Sequence, residues 1–182
     1  NKKETTQMKH VKLFTLIALA VLLNVNLSFT QDMRPPAPVQ NEFFDAMVGN
    51  SSGESVMNGQ TYEQNVSIQW DLNHQFLKIN LTGVNKSNPQ DKYEGLGIYG
   101  IDAKGNVRTW WFDVWGAGSV STGTGTISGD KMQTTEDGPY YHSNNTFEFR
   151  DNMMHIKRQG SLKTPDGKEI TFNETLSFKK NK

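Results

Sequence analysis

Short runs of alternating apolar and polar residues follow one another from Ala46 onward, and each run ends at a cluster of turn-forming residues. Over residues 62–72 the apolar side chains fall mostly on even positions, and over residues 75–83 on odd positions. Alternation with a period of 2 is typical of strands with one buried face. The only helical candidate is a short apolar turn over residues 41–48. The pattern predicts an all-β antiparallel meander that forms a sandwich or a barrel.

Turn residues predict the register of three hairpins. The predicted turns are Asn73-His74, Asp151-Asn152 and the three-residue loop Pro165-Asp166-Gly167. They place apolar residues opposite one another in the pairs Trp70–Leu77, Ile68–Ile79, Phe149–Met154, Phe147–Ile156, Leu162–Ile170, Ile156–Leu176 and Met154–Phe178. The apolar faces of the paired strands therefore coincide, as a correct register requires.

The same registers place two charged residues on the apolar face. Arg158 and Glu174 fall directly opposite one another, with Asn145 on the other side of Arg158. A charge on an inner face is costly unless it is paired. Either the strand ends twist this pair into solvent, or the pair is a polar anchor inside a mainly apolar cavity, which is how small-molecule sites are usually built.

Three of the four tryptophans, Trp110, Trp111 and Trp115, lie within six residues around Asp113. A two-residue Lys104-Gly105 turn before them predicts the strand pairing. It sets Ile98 opposite Trp111, Leu96 opposite Asp113, and Glu94 opposite Trp115. The tryptophans then divide between the two faces of the hairpin.

One face of this hairpin, with Trp110, Phe112, Val114, Tyr99 and Ile101, is interpreted as packing. The other carries Trp111, Trp115, Leu96 and Ile98 together with the carboxylates of Glu94 and Asp113. Two carboxylates flanked by indoles can bind a polar or cationic ligand, act as acid and base, or simply be solvated. The next segment, residues 116–129, is nearly all Gly, Ser and Thr, which fits a thin wall beside a cavity or a poorly packed edge strand.

The N-terminal residues have the layout of a secretory signal peptide. A basic start at Met8 precedes an apolar run over residues 13–23, and Ser28 and Thr30 stand before a possible cut at Gln31. We expect a signal peptide over residues 1–30, a Pro-rich linker over 31–40 and one domain over 41–182. The protein is then exported, either periplasmic or secreted. An uncleaved anchor is the alternative, although the run is short for a span of roughly 20 residues.

Composition excludes several classes of function. The chain of 182 residues has 19 basic and 19 acidic residues, hence no net charge, which argues against nucleic acid as a partner. It contains no cysteine, so the folded domain depends on its core alone. No P-loop or metal-ligand spacing such as H-x-x-x-H is present, and no cofactor or metal is predicted.

Three motifs resemble one known family. They are Y-E-G-L-G-I-Y-G-I-D at residues 93–102, T-W-W-F-D at 109–113 and G-A-G at 116–118, and they are similar to the bacterial domain-of-unknown-function family 1579 over residues 41–178. The resemblance implies a lipocalin-like (calycin) up-and-down barrel of about ten strands, with small apolar ligands in its lumen and no established activity. Haem-binding relatives of this fold often carry Gly-x-Trp where this chain reads Gly49-Asn50-Ser51, which argues against haem.

The function expected from these observations is an exported barrel that binds a small apolar or amphipathic ligand. An enzyme on the same barrel, using Glu94 and Asp113 or Glu174, is a less favoured alternative. A third is an interaction module that presents Trp111 and Trp115 to a partner protein. The candidate ligand-binding residues are Trp70, Glu94, Trp111, Asp113, Trp115, Arg158 and Glu174.

Overall fold

A computed structural model describes residues 34–57, 59–164 and 166–181. The predicted signal peptide lies outside the described residues, as do the first residues of the predicted linker. The described linker residues 34–40 form neither helix nor strand. The Val39 N–H donates to the carbonyl of His74 at 3.0 Å. Within the described part of the chain, no helix has the length and apolar character needed to cross a membrane.

The described chain forms one short α-helix followed by ten antiparallel strands that close into a barrel. Each strand pairs with the next one along the chain, and β1 pairs with β10 to complete the ring. The predicted all-β meander is confirmed. The elements are α1 (Glu42–Met47), β1 (Gly49–Met57), β2 (Gln60–Asp71), β3 (Phe76–Asn85), β4 (Lys92–Ile101), β5 (Val107–Asp113), β6 (Ser121–Ser128), β7 (Lys131–Asp137), β8 (Tyr141–Arg150), β9 (Met153–Lys163) and β10 (Glu169–Lys180), with a 3-10 helix (Ala117–Ser119) between β5 and β6.

Helix α1 covers one end of the barrel. Asn41 caps it, because its side-chain oxygen accepts the Phe44 N–H at 2.9 Å. The buried Phe43 and Phe44 then pack against Phe149 and Trp70, with ring centres 5.8 Å apart in both pairs. We call this the closed end, where β2 ends and β3 begins. The opposite end, where β1 ends and β2 begins, is the open end.

The three predicted hairpin registers are confirmed, since every predicted apolar pair is paired in the sheet. Asp71 and Phe76 are the last paired residues of β2 and β3, so the turn between them has four residues (72–75) instead of the predicted two. The centre of the hairpin is the same in both cases. Asp151 and Asn152 have φ values of 52° and 57°, as a type I′ turn requires. Pro165 of the third predicted loop lies outside the described residues.

The predicted register of the tryptophan hairpin is wrong by one residue. The observed pairs are Ile98–Trp110, Gly97–Trp111, Leu96–Phe112 and Gly95–Asp113. The turn between β4 and β5 has five residues (102–106) rather than two, because the Asp102 carboxylate accepts the N–H groups of both Lys104 and Asn106 at 2.9 Å. These hydrogen bonds lower the pKa of Asp102 to about 2, and the bond from the Asn106 N–H has the largest effect.

The one-residue shift changes which side chains face the barrel interior. Trp111 and Asp113 face inward on the same side as Tyr99, whereas Trp110 and Phe112 lie on the outer face. The predicted packing face, which combined Trp110 and Phe112 with Tyr99, is therefore also wrong.

Two inward glycines of β4 make room for the Trp111 indole. A Cβ atom added at Gly95 would lie 2.3 Å from Cζ2 of Trp111, and one added at Gly97 would lie 2.9 Å from Cε3. Both distances are far below a van der Waals contact. The inward position of Trp111 therefore requires that these residues have no side chain.

We expect Gly95→Ala to destabilise the protein by about 1–3 kcal/mol, because the new methyl group would displace the Trp111 indole. Gly83→Ala is the matched control: it is a glycine of the neighbouring strand whose added Cβ would have its nearest neighbour, the Tyr93 Cβ, at 3.6 Å, an ordinary contact. Urea unfolding, followed by tryptophan fluorescence, measures the free energy of unfolding of both variants. Equal stability of the two variants would contradict this description of the Trp111 packing.

Candidate functional site

The inner faces of the strands enclose a cavity of about 840 Å³ that reaches from α1 to the open end. Small-molecule sites typically have volumes of about 300–1,000 Å³. Near the closed end its lining is apolar, and we call these residues the apolar floor: Met47, Val66, Ile68, Phe147, Ile156 and Phe178. The floor can accommodate a hydrocarbon group without leaving polar groups unpaired.

The rim of the open end is also partly apolar. Val56, Trp115 and Tyr140 line the cavity there, and each is more than half exposed to solvent. The Trp115 ring packs edge-to-face against Tyr93 at 5.9 Å. Exposed large apolar side chains around an opening are typical of sites where apolar molecules pass.

Between floor and rim lies a layer of charged and polar side chains, which we call the polar belt: Gln64, Tyr99, Glu136, Tyr141, Asn145, Arg158 and Glu174. Within it, the predicted pairing of Arg158 with Glu174 is confirmed. Nη1 of Arg158 lies 3.1 Å from Oε1 of Glu174, and Nη2 donates to the Tyr141 hydroxyl at 2.7 Å. The pair lines the cavity rather than the outer surface, as the anchor interpretation requires.

Aromatic rings surround the Arg158 guanidinium as well. Its central carbon lies 5.8 Å from the ring centre of Tyr141 and 5.5 Å from that of Phe172. Burial opposes the charge, but Tyr141, Glu174 and Glu136 outweigh burial and raise the pKa of Arg158. Arg158 is therefore a permanent cation that its protein neighbours already neutralise.

Glu136 is the cavity carboxylate that the sequence prediction missed. It is 8% exposed, and its Oε1 accepts two long hydrogen bonds, from Tyr99 Oη at 3.3 Å and Thr109 Oγ1 at 3.4 Å. Among the described residues it forms no ion pair. Burial raises the pKa of Glu136, and the Arg158 charge opposes that rise only in part.

Gly123 of β6 makes the inward position of Glu136 possible. It stands between Thr109 and Glu136 in the sheet. A Cβ added at Gly123 would lie 2.4 Å from Thr109 Oγ1 and 2.7 Å from Glu136 Cγ. The segment rich in Gly, Ser and Thr is thus the wall beside a cavity, one of its two predicted interpretations, and not an edge strand.

Two buried amide oxygens in the polar belt accept no hydrogen bond from the described residues. They are Oε1 of Gln64 and Oδ1 of Asn145, and both side chains are 4% exposed. A buried polar atom without a partner costs about 1–3 kcal/mol. Neither oxygen has appreciable accessible surface, so both are packed into the wall behind the cavity.

Trp111, Asp113 and Trp115 all line the cavity close to the open end. Trp111 Nε1 donates to the Tyr93 hydroxyl at 2.9 Å, while burial, the largest effect, raises the pKa of Tyr93 to about 12. Oδ1 of Asp113 accepts the Ser119 hydroxyl at 2.6 Å and the Trp115 N–H at 3.0 Å. Asp113 therefore holds the turn that places Trp115 at the rim.

Two candidate residues do not line the cavity. Glu94 is exposed on the outer face, because the one-residue shift separates it from Asp113, which faces inward. The predicted pairing of Glu94 with Trp115 is wrong for the same reason. Trp70 lies at the closed end, where its Nε1 donates to Asp45 at 2.8 Å and its ring stacks on His74.

In the described part of the chain, no three His, Asp or Glu side chains are arranged to hold a metal ion.

No family model and no curated protein matches the chain. The structure is similar to the crystal structure of Rv2717c from M. tuberculosis, with a TM-score of 0.58 and 9% sequence identity, over 79% of this chain and 100% of that chain. At this identity the likeness shows the barrel fold alone.

We expect Glu136→Gln to stabilise the protein at pH 7 but not at about pH 4. Below the ordinary pKa of 4.5 the carboxyl is neutral in the folded and the unfolded chain, so it resembles Gln. As the pH rises, the buried group ionises less readily than the unfolded one, and the wild type loses stability relative to the variant. Urea unfolding at both pH values measures the difference. A difference that does not change with pH would contradict the raised pKa.

Proposed function

We propose that this protein is an exported binding protein that holds a small amphipathic, mainly apolar molecule inside its barrel. The observation that carries the proposal is the cavity of about 840 Å³, with its apolar floor and its polar belt. The basic start and apolar run after Met8 support export. The resemblance of residues 93–118 to domain-of-unknown-function family 1579 supports a lipocalin-like mode of binding.

The order of the layers supports an amphipathic ligand. A hydrocarbon group that reaches the floor is removed from water by side chains such as Ile68, Ile156 and Phe178. Burying apolar area contributes about 25 cal/mol per Å² to binding. The other end of such a molecule lies in the polar belt, near Glu136 and Arg158. A wholly apolar ligand would cover the Glu136 carboxylate without giving it a polar partner.

The two alternative functions receive less support. The proposed acid and base, Glu94 and Asp113, lie on opposite faces of the sheet, and Glu174 is bound to Arg158. A docking surface made of Trp111 and Trp115 is incomplete, because Trp111 faces inward and only Trp115 is exposed. We therefore favour binding of a small molecule over catalysis or protein recognition.

Val66→Phe tests the site by filling it. The larger ring would occupy the floor, and we expect roughly tenfold weaker binding of the neutral fluorescent probe N-phenyl-1-naphthylamine, equal to about 1.4 kcal/mol. The matched control is Val84→Phe on the outer face of the neighbouring strand. Fluorescence titration of the wild type and both variants measures the affinity. Equal weakening by both substitutions, or no probe binding to the wild type, would contradict the proposal.

A further inference from the structure

We propose that the ligand of this cavity carries a protonated amine, which the Glu136 carboxylate binds in the polar belt. The inference rests on the proposed function and specifies the polar end of the ligand. It depends on three properties: the charge balance of the cavity, the long hydrogen bonds of the Glu136 carboxylate and the aromatic rings of the cavity wall.

Negative charge exceeds positive charge inside the cavity. Asp113, Glu136 and Glu174 line it, whereas Arg158 is the guanidinium of the belt and Lys163 is exposed at the rim. The Glu174 carboxylate is paired with Arg158 at 3.1 Å. Asp113 is held by the hydroxyl of Ser119 and the N–H of Trp115. Among the described carboxylates of the cavity, Glu136 is thus the one that has neither an ion pair nor a short hydrogen bond, and the Arg158 charge compensates it only in part.

The Glu136 carboxylate is suited to a ligand that donates hydrogen bonds. The bonds that its Oε1 accepts from Tyr99 and Thr109 are long, at 3.3 and 3.4 Å. A protonated amine has only donors, so it matches this carboxylate, and bonds to a charged donor are stronger than neutral ones.

Aromatic rings complete an environment suited to a cation. Tyr99 contacts Glu136 through its hydroxyl, and Trp111 lines the same wall of the cavity. The Trp111 indole lies against the glycines of β4 and forms part of the cavity lining. The faces of such rings attract ammonium groups by about 0.5–2 kcal/mol.

The same arrangement disfavours a carboxylate ligand. Both terminal nitrogens of Arg158 are already engaged, one with Glu174 and the other with Tyr141 at 2.7 Å. An added carboxylate would share the Arg158 charge with Glu174 and would lie near the Glu136 charge. Like charges that lie close together repel, so the site favours a cation over an anion.

The test compares three probes with the same twelve-carbon chain: dodecylamine, dodecanol and dodecanoate. Each displaces N-phenyl-1-naphthylamine at pH 7, below the concentration at which it forms micelles. We expect the wild type to bind the amine at least about tenfold more tightly than the alcohol and the acid. Glu136→Gln should remove this preference, so that the ratio of amine to dodecanol affinity falls to about one. The control Glu94→Gln makes the same charge change on the outer face and should keep the preference.

Equal or tighter binding of dodecanol or dodecanoate by the wild type would overturn the inference while leaving the proposed function intact. An amine preference that survives in Glu136→Gln would overturn the role of that carboxylate. If neither the fluorescent probe nor any of the three compounds binds, the proposed function itself fails, and the inference fails with it. The wild-type comparison does not depend on the folding of any variant.

Discussion

The Asp102 carboxylate accepts two backbone N–H groups, and the chemistry of the cavity depends on those hydrogen bonds. They hold a five-residue turn between β4 and β5 and thereby set the register of the hairpin. With that register, Trp111 and Asp113 face the interior, and Glu94 faces solvent. A shift by one residue would exchange the two faces and place a different set of aromatic and acidic groups inside.

The absence of side chains at a few positions is equally important for the site. Gly95 and Gly97 accommodate the Trp111 indole, and Gly123 accommodates Glu136 and Thr109. A barrel of ten strands with large side chains on every inner position would have a filled core. Small residues on β4 and β6 instead leave space beside the aromatic and acidic groups, which is the space that a ligand requires.

Much of the fold could be predicted from the sequence because its determinants are local. Asp151 and Asn152 tolerate the left-handed conformations of a tight turn. The alternation of apolar and polar residues on either side of this turn then determines the pairs between β8 and β9. The turn at Asp102 was predicted wrongly because its length depends on side-chain hydrogen bonds to the backbone, not on the glycine alone. Closure by β1 and β10 joins distant parts of the chain, and no local pattern indicates it.

The candidate site was predicted less well than the fold. Arg158 and Glu174 stood out because they interrupt an apolar face. Glu136 did not stand out, because its neighbours Thr134 and Gly123 are not apolar and so do not mark a buried face. Its inward position is indicated only by Met132, which is fully buried and lies four residues earlier on the same face of β7. Contacts between strands decide which carboxylate lacks an ion-pair partner, and these contacts are visible only in the folded barrel.

Methyl NMR during titration with dodecylamine tests most directly whether the cavity binds the apolar part of an amphipathic ligand. The methyl signals of Ile68 and Ile156, on the apolar floor, should shift, while that of Ile98, on the outer face, should not. Shifts at Ile98 without shifts at the floor would place the ligand on the outer surface and contradict binding inside the barrel.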